Sequence, residues 1–331
     1  MFSKSLDAFA RRLRGLTFTH AVAECIGCCH SPGGIAKWWQ HHHPRCPWNK
    51  RSQLERLRAG ATIDKAVLAD LCSLSPELAD LYESQLWTAV AQLPSARACD
   101  ELLDTVKVGS KRLDSDIGKF SKLLVDRVDL ACLPINLALM FSGHSSYGLY
   151  RALLRKNFAC MYAWYSAQFP FCYASRPLYL QIQLYMHDVG KPLPQNWSSW
   201  HLFRDLYFDQ LEEVDRLGWL NGDGGAGALL LWNLPIKEHA GFESCLDQSM
   251  EAQLLPMPKA AEKHWRSVRT VWVDNPVSLN GKECRLPGAV IGDKPPLAHA
   301  LSHVEVVSPT DPVEDVWFRE GAERSDCSWP I

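Results

Sequence analysis

LYLQIQLYMHDVGKP, Leu178 to Pro192, sets an apolar run directly before an adjacent His-Asp pair, a glycine and a lysine. A helix carrying the run would end near the pair, Gly190 would let the chain leave it, and Lys191 could face a phosphate. His187 and Asp188 offer a neutral imidazole and a carboxylate to one divalent cation, as metal-dependent hydrolases do. Two protein ligands hold such an ion weakly against water, so the groups that join them decide whether this is an active site. The other reading is a brace at a helix end, with Asp188 accepting from backbone N–H groups or from His187 and no metal involved.

Outward from this stretch the pattern is helical. FSKSLDAFARRLRGL places Phe2, Leu6, Phe9, Leu13 and Leu16 at helical spacing with arginines opposite, which predicts an amphipathic helix. SQLERLRAG ends at Gly60 like a capped helix, DKAVLADLC reads as a short one, and SPELADLYESQLWTAVAQL opens with Ser75 as N-cap and Pro76 in the first turn. ACDELLDTV, DIGKFSKLLVDRV, INLALMF, YGLYRALLRKNFACMYAWYSAQF and HLFRDLYFDQLEEVDRLGWL continue the series, so the fold class is all-α. After about Glu262, SVRTVWV and GAVIG, separated by NPVSLNG, KPP and SPTDP, predict short strands or extended loops before an acidic tail.

A chain of 331 residues with 47% hydrophobic residues can bury a full core and has room for about two domains. Its 35 basic and 37 acidic residues argue against a chain-wide nucleic-acid or membrane surface. The charge is unevenly spread, however, because residues 1–60 carry ten Lys/Arg against three Asp/Glu. No run of eighteen apolar residues occurs, and MFSKSLDAFARRLRG lacks the apolar core of a signal peptide, so a cytoplasmic protein without a membrane partner is expected. Of twelve cysteines, eight sit singly in helical or mixed segments, where reduced and buried thiols are the usual outcome. Thirteen tryptophans fall mostly at apolar helical positions or beside proline, where core packing accounts for them.

QLPSARACDELLDTV followed by SDIGKFSKLLVDRVDLACLPINLAL resembles the opening of the HDOD domain, a bacterial helical relative of the HD phosphohydrolases. Leu93-Pro94, Asp129 and Asn136 stand where that family has its Leu-Pro lead-in, its Asp and its helical Asn. SSYGLYRALLRKNF is similar to the family's serine followed by a helix with a basic turn, and GDGGAGALLLWNLP, Gly222 to Pro235, to its closing small-residue helix and Trp-x-Leu-Pro turn. The resemblance implies an HD-like helical domain and a role in bacterial signalling through a protein partner or a nucleotide second messenger. It also implies imidazoles that this chain lacks. Tyr165 in AWYSAQF stands where a family His lies, and the closing Asp-His reads Asp223-Gly224.

A degenerate site, with a divalent metal not expected, and a non-enzymatic role follow from those departures. The alternative is an HD-type phosphohydrolase acting on a phosphoester or nucleotide. In that case His187, Asp188 and Asp223 are the metal ligands, Lys191 the phosphate contact, and His144 in SGHSSYG an upstream substitute for the missing imidazole.

ECIGCCHSPGGIAKWWQHHHPRCPW, Glu24 to Trp48, is rich in Gly, Pro, His and Cys and reads as an irregular segment. Cys25, Cys28, His43 and Cys46 have the spacing of a tetrahedral structural zinc site, with Cys29, His30, His41 and His42 as alternative ligands. The competing reading packs the cysteines as small apolar residues and leaves the histidines solvated. The basic charge around this segment gives a second alternative function, DNA binding. The expected organisation is a basic helical module with a candidate zinc site at 1–87, an HDOD-like helical domain at 88–262, and an irregular or short-strand extension at 263–331.

Overall fold

Local signals set where the helices begin. Asp7, Ser31, Asp64, Ser75, Ser84, Ser95 and Asp116 each accept from a backbone N–H in the first turn that follows, satisfying donors that a helix leaves unpaired. The structure is a computed structural model that describes residues 7–43, 50–93, 95–128, 130, 132–217, 231–234 and 257–283. Its first seven helices are α1 (Ala8–Cys25), α2 (Pro32–His42), α3 (Lys50–Arg58), α4 (Lys65–Cys72), α5 (Pro76–Tyr82), α6 (Gln85–Gln92) and α7 (Ala96–Leu103). They are followed by α8 (Ile117–Val125), α9 (Leu133–Phe141), α10 (Gly148–Ala167), α11 (Cys172–Asp188), α12 (Trp200–Arg216) and α13 (Lys259–Asp274). The described residues are thus mostly helical, as the periodicity predicts.

Three expectations need correction. The Glu24–Trp48 segment is not irregular throughout, because Ser31 caps and Pro32 opens the 11-residue helix α2, a pairing that pre-sets the first turn. SPELADLYESQLWTAVAQL is two helices, since Ser84 caps a new start at Gln85. SVRTVWV is helical: it continues α13, whose opening KAAEKHWR supplies good helix formers, and extending an existing helix is far easier than nucleating one.

Short strands follow α13, but in and directly after NPVSLNG, which reads as a connection in the sequence, while GAVIG lies outside the described residues; they do not stand apart from the helices. β1 (Lys107–Val108), β2 (Lys111–Arg112), β3 (Val277–Leu279) and β4 (Lys282–Glu283) form an antiparallel four-stranded sheet in the order β2-β1-β3-β4. Lys107 pairs with Ser278 and Val108 with Val277. The boundary expected at 262/263 falls inside α13 and that at 87/88 inside α6. One continuous cluster of buried apolar side chains includes Ala10, Trp87, Phe158 and Leu279, so the described residues share one core.

Two helices organise that core. α1 packs against α2, α3, α5, α6 and α11, and α10 against α8, α9, α11 and α12. At Gly15 the backbone of α3 comes so close that a Cβ would lie 1.9 Å from the Leu57 carbonyl oxygen. α10 and α11 form an antiparallel hairpin: Tyr162 donates its hydroxyl to the Ser175 carbonyl, and the chain beyond α11 returns to donate from Gln195 N–H to the Arg155 carbonyl at 2.8 Å. Phe158, Tyr162, Tyr179, Trp197 and Trp200 stack where this hairpin meets α12.

The end of α8 is a second organising point. Four consecutive carbonyls there each receive a side-chain donor from elsewhere in the chain. Trp232 Nε1 donates to Val125 O at 3.2 Å, Asn233 Nδ2 to Asp126 O at 3.0 Å, Tyr165 Oη to Arg127 O at 3.0 Å and Gln168 Nε2 to Val128 O at 2.6 Å. Helix ends leave carbonyls unpaired; here distant segments satisfy them and are held in register by doing so.

Candidate functional site

α11 ends at Asp188 in the manner expected of a glycine exit. Gly190 adopts φ +63°, a left-handed conformation that favours glycine, and Lys191 N–H donates back to the Met186 carbonyl at 2.9 Å. This reversal carries the Lys191 side chain to the end of α9. Its ammonium donates to the carbonyls of Met140 at 3.2 Å, Phe141 at 2.7 Å and Ser142 at 3.1 Å. A cation on the last carbonyls of a helix satisfies their lone pairs and the negative end of the helix dipole. Burial, then the neighbouring Arg151 guanidinium, lowers the Lys191 pKa from its ordinary value. The lysine read as a phosphate contact thus has all three of its donors directed at backbone.

His187 and Asp188 do the opposite. Their side chains are 89% and 71% exposed, and His187 Nδ1 lies 3.7 Å from Asp188 Oδ1, a pair open to water and weakly coupled. The turn beyond α9 faces the same end of the hairpin. Asp100 Oδ1 accepts from the Ser142 hydroxyl and from His144 N–H, while Arg151 donates to the His144 carbonyl at 2.7 Å. His144 itself caps the 3-10 turn Ser145–Tyr147, its Nδ1 accepting from Ser146 N–H at 3.3 Å.

Tyr165, the residue in place of a family histidine, is elsewhere. It is fully buried near the C-terminus of α10, where its hydroxyl accepts from Asn136 Nδ2 at 2.8 Å and donates to Arg127 O. Because the hairpin is antiparallel, the length of α11 separates it from His187, about 22 Å at 1.5 Å per residue. Tyr165 and Asn136 therefore belong to the packing at the end of α8, and an imidazole at position 165 would not reach His187. Asp223, the proposed third ligand, and Asp129 lie outside the described residues.

The Cys/His spacing meets a geometric obstacle. Cys25 and Cys28 sit before α2, and His43 follows its last residue. A helix of that length puts roughly 16 Å between its ends, whereas ligands to one zinc ion lie about 2.0–2.3 Å from it. His43 instead rests against Trp39, ring centroids 4.8 Å apart. Cys25 and Cys28 thus lie on the N-terminal side of α2 and His43 on its C-terminal side, and Cys46 lies outside the described residues. Cys28 donates its thiol to the Cys29 carbonyl at 3.4 Å, and burial, then Cys29 and Glu24, pushes its pKa up to about 12. Among the described residues no group of three or more His, Cys, Asp or Glu side chains is arranged to hold a metal ion.

The fold does bring together groups that spacing did not pair. His30 Nε2 lies 2.7 Å from Glu24 Oε2, His30 Nδ1 lies 3.2 Å from His20 Nδ1, and His20 stacks on Tyr173 of α11 with centroids 3.8 Å apart. The i, i+4 spacing of His20 and Glu24 on α1 is the trace of this in the sequence. The basic residues nearby have structural partners: Arg11 donates to Gly60 O at 2.9 Å, Arg51 pairs with Glu55, and the Arg14 guanidinium lies over the Tyr82 ring. Within the described residues no helix is long and apolar enough to cross a membrane.

The chain matches no protein-family model, no curated protein and no solved structure. The likeness to HDOD domains accordingly rests on the motifs quoted above.

Proposed function

We propose that this chain is a cytoplasmic bacterial signalling scaffold whose HDOD-like helices bind a protein partner rather than hydrolyse a phosphoester. The observation that carries this reading is Lys191. Its ammonium serves the carbonyls at the end of α9, while His187 and Asp188 project into solvent beside it. A hydrolase needs the lysine for its substrate and the pair in a shielded, preorganised cluster.

A protein is favoured over a nucleotide messenger as the partner because this end of the hairpin is apolar as well as charged. Leu149, Leu184, Val189 and Leu193 are each between 41% and 49% exposed, a surface that association would cover. The test uses full-length protein loaded with manganese or zinc and assayed on a generic phosphodiester, beside Asp188→Ala. Equal metal content and equal, background turnover in both are expected. Turnover or bound metal that disappears with Asp188 would establish the hydrolase alternative, with Asp223 as the next ligand to replace. Titration with cyclic nucleotides distinguishes a messenger-binding scaffold from a protein-binding one.

A further inference from the structure

Six large apolar side chains are strongly exposed among the described residues, and all six fall between Gly148 and Arg216. Leu149, Leu184, Val189 and Leu193 make up the α10–α11 end read as a protein-binding surface. The other two, Leu202 and Leu206, are 64% and 52% exposed one turn apart on the outer face of α12. Single leucines scattered over a surface are ordinary, whereas grouped ones mark places that association covers.

The two surfaces carry opposite charge. α10 contains no Asp or Glu, and the solvent side of its first half consists of Gly148, Leu149, Ala152, Arg155 and Lys156, which share one helical face. Neither Arg155 nor Lys156 pairs with a carboxylate among the described residues. The solvent side of α12 consists of His201, Leu202, Asp205, Leu206 and Asp209. Arg204 lies over the Trp200 ring and pairs with Asp205 at 2.7 Å, which leaves Asp209 without a cation among the described residues. Loss of hydration, then Asp205 one turn earlier, raises the Asp209 pKa, and like charges at this spacing weaken a helix. A cation brought to Asp209 from outside relieves that repulsion.

Within one chain the two faces do not meet. Tyr207, next to Leu206, stacks on Trp164 with centroids 3.9 Å apart, which sets this part of α12 roughly 22 Å along α10 from Leu149. Tyr162 meets Trp200 before Trp164 meets Tyr207, so α10 and α12 run the same way. A second copy displaced along that direction brings its α12 onto the free α10 face. Leu149 to Lys156 and Leu202 to Asp209 cover the same length of helix, so a parallel pairing sets leucines together at one end and Arg155 and Lys156 beside Asp209 at the other. Ala152 leaves room between them for the Leu206 side chain.

We propose that the basic α10 face of one copy docks on the acidic α12 face of the next, so that the protein partner of the α10–α11 end is a second copy of this chain. The inference rests on reading that end as a protein-binding surface. The contact is head to tail: every added copy leaves one face of each kind unused, and association continues past two copies.

Sedimentation of the full chain at micromolar to submillimolar concentration, in low and high salt, tests this. The average mass should rise with concentration beyond that of two copies and fall back in high salt. Lys156→Glu and Asp209→Lys each change an exposed side chain, so the thermal midpoint should stay at the wild-type value. Alone, each should weaken association on the order of tenfold. An equimolar mixture of the two variants should regain it, because each reversed charge then meets its opposite. A wild-type chain that stays single throughout, a size that stops at two, variants that associate as wild type does, or a mixture that fails to recover overturns the inference. The reading of the hairpin end as a non-catalytic surface fails separately, by metal-dependent turnover that Asp188→Ala removes.

Discussion

Lys191 shows how one residue type can point to two chemistries. Beside a His-Asp pair it reads as a phosphate contact, yet the backbone reversal at Gly190 delivers its ammonium to three carbonyls at the end of α9. Hydrogen bonds to a charged donor contribute about 1.5–3 kcal/mol to stability, and carbonyls left unmatched add to the loss. Lys191→Met, which keeps the stem and removes the charge, is therefore expected to lower stability by roughly 2 kcal/mol in a urea titration. A variant as stable as wild type would mean that water serves these carbonyls equally well and would return Lys191 to the list of ligand-binding candidates. Tyr165 makes the same point in reverse. The missing imidazole looks like a lost ligand, but its position is occupied by a phenol that bridges Asn136 and Arg127 O inside the core.

At the scale of elements, most helices were legible because their signals are local, although in the sequence α2 reads as irregular and the second half of α13 as extended. Asp64 before α4, Ser75 and Pro76 at α5 and Gly190 after α11 act within a turn of where they sit. The approach of one helix to another was not legible. Gly15 looks unremarkable in LRGLTF, yet it is where the α3 backbone touches α1. Gly15→Ala would drive a methyl into the Leu57 carbonyl, and since backbone cannot move aside as a flexible side chain can, α1 and α3 must separate. The expected loss is about 3 kcal/mol, with a fall in thermal midpoint, although alanine is the better helix former. A neutral or raised midpoint would show that α3 does not pack on α1 in this way.

Across the whole molecule, the segment beyond Glu262 belongs to the core. Val277 and Leu279 are 2% and 0% exposed, β3 hydrogen-bonds to β1, and Arg127 Nη1 donates to Asn275 O at 3.2 Å. Full burial of such a side chain contributes about 1.5–3 kcal/mol, so a chain ending at Glu262 should be destabilised by at least about 3 kcal/mol in denaturant. If that chain unfolds at the wild-type midpoint, residues 263–283 are the separate extension that the sequence suggested.

The sequence by itself determined the helical course of most of the chain, many helix starts and the exit after His187-Asp188. Those features depend on periodicity, capping side chains and turn residues within a few positions of each other. The tertiary structure alone decided that Lys191 caps α9, that His20 meets His30, and that β3 pairs with β1. Each of these depends on where a helix end or a two-residue strand is carried by packing, over separations for which neither periodicity nor motif spacing carries information.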